Sequence, residues 1–364
     1  MTDRTAGIAA AQLEDPEKQR VLAVDVGGTK LAVGVVDGTG RVLEMLRAPT
    51  PVVPASGGAE HAARGQGAGS DAMSGQANLD LEAAGPGETI FAALLDLIGR
   101  LDLDPARLAG IGIGCGGPMQ WPAGRVSPLN IPSWRGFPLR ERLSERFPGL
   151  PVRLHNDAIC VAVAEHWLGA GRGHENVLGM VVSTGVGGGL ILNGRLIDGS
   201  TGNAGHIGHV LVHPDEDPAE ARCQCGAVGC LEAIASGPRL TAWAVRHGWR
   251  PDLPESQRTG RDLAEDARNG IPIALAALAR AGRALGIAIA SAAVLCDLEL
   301  AAIGGGLAEA GPLLFEPLAA SLRERIGLDF ARQVRAVPAA LGQDVGLVGA
   351  AALIYRGDRY WSAD

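Results

Sequence analysis

The chain has 364 residues, a net charge of −8 and a 47% hydrophobic composition with only 4% aromatic residues, enough for two domains and a large aliphatic core. An acidic chain has no electrostatic footprint for nucleic acid or for an anionic membrane. No apolar run reaches the roughly 18–20 residues of a membrane span, so a soluble protein is expected, with neither a nucleic acid nor a membrane as partner.

Residues 1–19 mix charges, lack an apolar signal core and read as a loose polar tail. Order is expected from Val21. Val21–Val26 and Leu31–Val36 read as strands, and Asp37-Gly-Thr-Gly40 reads as a hairpin turn. Between the strands lie Asp25, Val26, Gly27, Gly28, Thr29 and Lys30. Two glycines let backbone N–H groups approach a phosphate, and Asp25 at a strand end can face a hydrated Mg²⁺. The pattern is not a Walker loop, and a plain glycine hairpin is the alternative. Pro54–Gly87 is rich in Gly, Ala and Ser, has little to bury and reads as a disordered insert; His61 within it has no expected role.

Glu88–Leu101 has the apolar spacing of an amphipathic helix, and Leu108–Gly114 reads as a buried strand. The strand runs into Cys115-Gly-Gly117-Pro118, a loop that lets backbone approach a ligand. Cys115 is expected to be a packed thiol, because no His accompanies it. Asn130-Ile-Pro-Ser-Trp134 reads as a polar-aromatic wall, and Leu139–Phe147 as a helix. Val152–Leu154 is a strand leading into His155-Asn156-Asp157-Ala158, with a helix over Ile159–Leu168. An acid at the carboxyl end of a strand sits where open α/β sheets bind ligands, although Asn156 and Asp157 could also merely cap the helix.

Asn176–Ser183 is an apolar strand followed by the glycine turn Thr184, Gly185, Val186, Gly187, Gly188, Gly189 and a strand at Leu190–Leu192. This repeats the logic of the first hairpin about 160 residues later and suggests two related halves. A third glycine turn, Gly304, Gly305, Gly306, follows the strand Leu298–Ile303. Helices are expected at Gly237–His247, Arg261–Asn269, Ile273–Cys296, Leu313–Ile326 and Asp344–Tyr355, and a short strand at Val334–Val337.

The densest chemistry lies in Gly202–Glu232. His209, Cys223, Cys225 and Cys230 supply one imidazole and three thiols, a closed tetrahedral set for a structural Zn²⁺ with no position left for water. The alternatives are buried small thiols or a disulfide, and C-x-C is a strained disulfide pair. Six cysteines, three of them clustered, suit a reducing cytoplasm better than a disulfide framework.

Taken together, Asp25–Lys30, Asn156-Asp157-Ala158, Ser183–Gly189, Gly205-His206-Ile-Gly-His209 and the Cys223–Glu232 motif resemble the ROK family of sugar kinases and repressors. The resemblance runs from about Val21 to Tyr355, apart from the insert. It implies an α/β, actin-like ATPase (ribonuclease H-like) fold with two domains around a cleft. Residues 20–166 with 343–364 would form the smaller domain, and 167–342 the larger one with the zinc motif. It implies an ATP- and Mg²⁺-dependent kinase that phosphorylates the 6-hydroxyl of a hexose, assembled as a homodimer or homotetramer.

By motif, Asp157 matches the general base. Gly117, Asn130, Asn156, His206, His209 and Glu232 match the sugar side, and His209 is also a zinc ligand. Asp25, Gly27, Gly28, Thr29 and Lys30 match the nucleotide side, with Thr184, Gly185, Val186, Gly187, Gly304, Gly305 and Gly306. Repressor members carry a winged DNA-binding domain ahead of the first hairpin, and about 20 residues are too few for one. One departure is His206, where many glucose-phosphorylating members have Glu. Gly-His-Ile-Gly-His followed by Glu232-Ala-Ile-Ala-Ser-Gly is similar to bacterial N-acetylmannosamine kinases, so an N-acylhexosamine is the expected substrate. A glucokinase and a non-catalytic sugar sensor are the alternatives.

Overall fold

A computed structural model describes residues 19–52, 86–213, 217–251, 253–254 and 257–360. The expected tail up to residue 18, the insert from residue 54 to residue 85, and His61 lie outside these residues. Pro86 and Gly87, read as part of the insert, already open a helix, α1 (Pro86–Gly99).

The first sheet contains β1 (Arg20–Val26), β2 (Lys30–Asp37), β3 (Val42–Pro49), β4 (Leu108–Cys115) and β7 (Val152–Asn156), in the order β3-β2-β1-β4-β7. The second contains β8 (Val177–Val182), β9 (Val186–Leu192), β10 (Arg195–Leu196), β11 (Leu300–Gly304) and β12 (Arg335–Pro338), in the order β10-β9-β8-β11-β12. Each sheet reads third, second, first, fourth, fifth strand. In each, the first three strands run antiparallel and the last two join the first in parallel. The duplication hinted at by two glycine hairpins therefore extends to strand order and direction. A small hairpin of β5 (Met119–Gln120) and β6 (Arg125–Val126) leaves the end of β4.

Strand β3 was not read from the sequence. It is the edge of its sheet, and its run of half-exposed residues, with Glu44 and Arg47 in the middle, carries no clean alternation. The second turn is also shorter than the sequence suggests. Val186 to Gly189 already belong to β9, so only Ser183–Gly185 turns the chain.

Helix α2 (Leu139–Arg146) packs near β7. Two helices lie between the sheets: α3 (Asp157–Leu168), which leaves the end of β7, and α9 (Val345–Tyr355). Residues Ala158 to Trp167 of α3 are all buried, which explains why this stretch is apolar on every face apart from Glu165 and His166. It crosses β8 and β9 and lies along α9, which in turn covers β1 and β4. The close approach requires glycine: a Cβ on Gly349 of α9 would overlap the Cys160 backbone, and one on Gly189 would stand 2.8 Å from the Ala162 Cβ.

Beyond the second sheet lie α4 (Leu231–Ala235), α5 (Gly237–Arg246), α6 (Gly260–Arg268), α7 (Pro272–Cys296) and α8 (Pro312–Arg325). Helix α7 corrects the expectation that no segment has the length and apolarity of a membrane span. Its best 18-residue window has a mean hydropathy of 1.6, but 67% of that window is buried. Ala277, Leu278, Ala281, Leu285, Ala288 and Ile289 face the main core cluster, so α7 is a core helix.

Candidate active site and metal centre

Asp25 ends β1, and Asp157 opens α3 at the end of β7. Because β4 lies between these parallel strands, the two carboxylates point into one space at the carboxyl edge of the sheet. Burial pushes Asp25 from the ordinary range to about 6; the Asp157 charge adds to the rise, and Lys30 and Arg47 oppose it. Burial also raises Asp157, against the hydrogen bond it accepts from the Ala158 N–H. That N–H is shared between Asp157 Oδ1 at 2.8 Å and Asn156 Oδ1 at 3.0 Å. Asn156 is therefore the cap of α3, and Asp157 shares its donor. The Ala158 N–H engages Oδ1 and leaves Asp157 Oδ2 clear of the cap.

The first glycine turn is closed by the Gly27 N–H donating to the Lys30 carbonyl at 3.0 Å. The Thr50 hydroxyl braces it from behind, donating to the Gly27 carbonyl at 2.7 Å. A Cβ on Gly28 would collide with the Asn130 side chain at 2.5 Å, so Asn130 lies directly against this turn. The third turn, Gly304–Gly306, lies beside the second because β8 and β11 are parallel neighbours and the Leu307 N–H donates to the Val182 carbonyl at 3.1 Å. Gly305 has φ of +91° and backs onto Val182, so a side chain is excluded twice over.

Val186 and Gly187 are not part of an open turn. The Val186 N–H donates to Glu232 Oε2 at 3.0 Å, and Gly187 lets β9 approach Ala158 in the first turn of α3. The open backbone of this turn is Thr184 and Gly185. A cavity of about 100 Å³ adjoins it, lined by Thr184, Cys223, Glu232, Ser236 and Arg239 among others. Sequence reading missed Arg239, which lies in the first turn of α5 and carries no motif signal of its own.

A Cβ on Gly117 would stand 2.9 Å from Asn156 Nδ2 and 3.3 Å from His206 Nε2. Gly117, Asn156 and His206 thus converge on one pocket wall. Burial lowers His206 below the ordinary histidine range, so the ring is neutral at pH 7; the hydrogen bond to the Asn203 carbonyl works the other way. The His206 and His209 rings lie roughly parallel with centroids 6.2 Å apart.

His209 Nδ1 is 3.6 Å from Cys223 Sγ, and Cys225 Sγ is 3.6 Å from Cys230 Sγ. All four ligand atoms lie within 4.8 Å of one another. Zinc bonds of ~2.3 Å to sulfur and ~2.05 Å to nitrogen put tetrahedral neighbours roughly 3.6–3.8 Å apart, so the two 3.6 Å pairs have tetrahedral spacing and the cluster as a whole is compatible with a zinc ion. Burial pushes the Cys230 thiol up to about 12, so a thiolate there needs a cation beside it. A disulfide does not form: all described cysteines are free. The knuckle is shaped by Gly226 at φ +97° and by the Cys223 N–H donating to the Ala227 carbonyl at 2.8 Å. Since Nδ1 faces the thiols, His209 Nε2 is the ring nitrogen left for a ligand.

The sequence model of the ROK family matches residues 76–356. The chain belongs to the ROK family. It is 31% identical over 349 residues to a glucokinase of Thermotoga maritima, covering 93% of this chain and 98% of that one. An N-acetyl-D-glucosamine kinase of Pectobacterium atrosepticum is 30% identical over 335 residues, with 90% and 97% covered. The crystal structure of a ROK family glucokinase from Streptomyces griseus, in complex with glucose and AMPPNP, superposes with a TM-score of 0.73 at 32% identity, covering 92% of this chain and 98% of that one. The duplicated sheets of this ROK protein are accordingly those of the actin-like ATPase fold.

Proposed function

We propose that the protein transfers the γ-phosphate of ATP to the 6-hydroxyl of a hexose and prefers a 2-N-acylated hexose such as N-acetylmannosamine to glucose. The coarser statement, an ATP-dependent sugar kinase of the ROK family, rests on the family match and on relatives named as kinases across nearly their whole length. The observation that carries the mechanism is the convergence of Asp157, Asn156, His206 and Gly117 beside Asp25 and the first glycine turn.

In this reading Asn156 Nδ2, His206, His209 Nε2 and Glu232 hold the sugar. Asp157 accepts the proton of the attacking hydroxyl through the oxygen its cap leaves open; burial makes it a better base than an ordinary carboxylate. Backbone N–H groups of Gly28, Thr29, Thr184 and Gly185 hold the phosphates, and the third glycine turn takes the nucleoside end. Asp25 fits a hydrated Mg²⁺, which when bound would offset phosphate charge. Zinc, when bound, would supply no chemistry but would tie the His209 loop to the Cys223–Cys230 knuckle. Residues 20–166 with 343–364 form one closing body and 167–342 the other, in a homodimer or homotetramer in the cytoplasm, where the thiols stay reduced.

The N-acyl preference rests on His206. With its one N–H given to the Asn203 carbonyl, the neutral His206 ring offers the pocket an uncharged acceptor for an N-acyl N–H, whereas Glu would place a charged carboxylate there. The test is a coupled assay of native protein and His206→Glu over N-acetylmannosamine, N-acetylglucosamine and glucose. Native protein should favour an N-acylhexosamine, and His206→Glu should shift the kcat/KM ratio towards glucose at least tenfold. A native preference for glucose would return the reading to a glucokinase. Turnover with no hexose would leave a sugar sensor.

A pH effect follows from the raised carboxylates. Asp25 protonates as pH falls through about 6, and the charge it presents to Mg²⁺ goes with it. The kcat/KM for ATP should therefore drop on the acid side with an apparent pKa near 6, assigned to the Asp25–Asp157 pair. A profile flat down to pH 5 would contradict it.

A further inference from the structure

A single and a paired hydrogen bond join the end of β7 and the β5–β6 hairpin to the loop that follows β10 and carries His206. His155 ends β7 next to Asn156, and its ring is fully buried with Nε2 2.7 Å from Asp198 Oδ1. Asp198 follows β10 of the second sheet. The second bond is double: the Asn203 amide donates to the Met119 carbonyl at 2.9 Å, and the Met119 N–H donates to Asn203 Oδ1 at 3.1 Å. Trp121 lies against the same loop, with its ring centroid 5.7 Å from that of His155 and its side chain filling the space beside Gly202.

The placement of these bonds ties them to the sugar wall. His155 directly precedes Asn156, Met119 lies two residues after Gly117, and the Asn203 carbonyl accepts a hydrogen bond from the His206 ring. Gly117, Asn156 and His206 are thus each one short step from a bond that ties the end of β7 or the β5–β6 hairpin to the loop after β10. The geometry also fixes the tautomer. His155 Nδ1 accepts the Asn156 N–H at 2.8 Å, so Nε2 carries the proton and donates it to Asp198.

We infer that His155 and Asp198 form a positioning pair that sets the gap between Asn156 and His206, and with it the affinity and selectivity for the sugar. This rests on the sugar-kinase reading of the site. Neither residue touches the reacting atoms. A buried hydrogen bond to a carboxylate is directional, so losing it frees the His206 loop to move against β7.

The test is calorimetric binding of N-acetylmannosamine and of glucose, without nucleotide, to native protein, Asp198→Ala and Asp198→Asn. Asp198→Ala should weaken the preferred sugar at least tenfold and bring the two affinities closer together. Asp198→Asn keeps an oxygen for the His155 N–H and should stay within about threefold of native. In turnover, Asp198→Ala should raise KM for sugar while KM for ATP stays unchanged. A lower melting temperature with unchanged affinities and ratio would mean the pair is only structural and would overturn the inference. Native protein that binds neither sugar would instead refute the sugar site itself. If Asp198→Ala does not fold, Asn203→Ala cuts the parallel bond, and unchanged sugar affinity there would overturn the inference equally.

Discussion

Replacing Asp157 by Asn is expected to lower kcat at least 100-fold, about 2.7 kcal/mol of transition-state stabilisation, while sugar affinity stays within about threefold. The Asn side chain keeps an oxygen for the Ala158 N–H, so the cap on α3 survives. It loses the basic oxygen that faces the cleft. Stopped assays for kcat and calorimetry for sugar binding separate the two effects. A variant that keeps more than a tenth of native kcat would remove Asp157 as the base. Equal losses in kcat and sugar affinity would mean that the pocket wall itself had shifted.

Removing zinc, or replacing Cys225 by Ala, should lower the melting temperature and the sugar affinity together. Cys225 is exposed, so the change leaves no core cavity and acts through the metal set. If the loss is ~3–4 kcal/mol, the melting temperature of a domain this size should fall by roughly 10 °C. Sugar affinity should fall in parallel, because in the proposed reading His209 gives Nδ1 to the metal and Nε2 to the sugar. Metal analysis should give one zinc per native chain. A metal-free preparation with native sugar affinity would sever the brace from the pocket.

The parts of the fold that could be read from sequence were those with strong local grammar. The strands Val21–Val26 and Leu31–Val36, the glycine turns between strands and the mostly apolar helix after Asn156-Asp157 all carry their own signals. The gathering of His209 with the three cysteines was legible because such residues close together in sequence admit few other uses. Edge strand β3 escaped because charges interrupt its alternation. Val186 and Gly187 read as turn because glycine usually marks one, whereas here it lets β9 lie against α3. His155, Asp198 and Asn203 could not be found at all. Their meaning lies in pairs 43 and 84 residues apart, His155 with Asp198 and Met119 with Asn203, and no local pattern records such pairs.

The most direct measurement of the whole account is phosphoryl transfer itself. Purified zinc-loaded protein, ATP, Mg²⁺ and a panel of hexoses would be followed by ADP release, with the product's phosphate position read by phosphorus–proton NMR. The expected result is sugar-dependent ADP release, fastest with an N-acylhexosamine, and phosphate on the 6-oxygen. No ADP with any hexose, or phosphate at another position, would contradict the account.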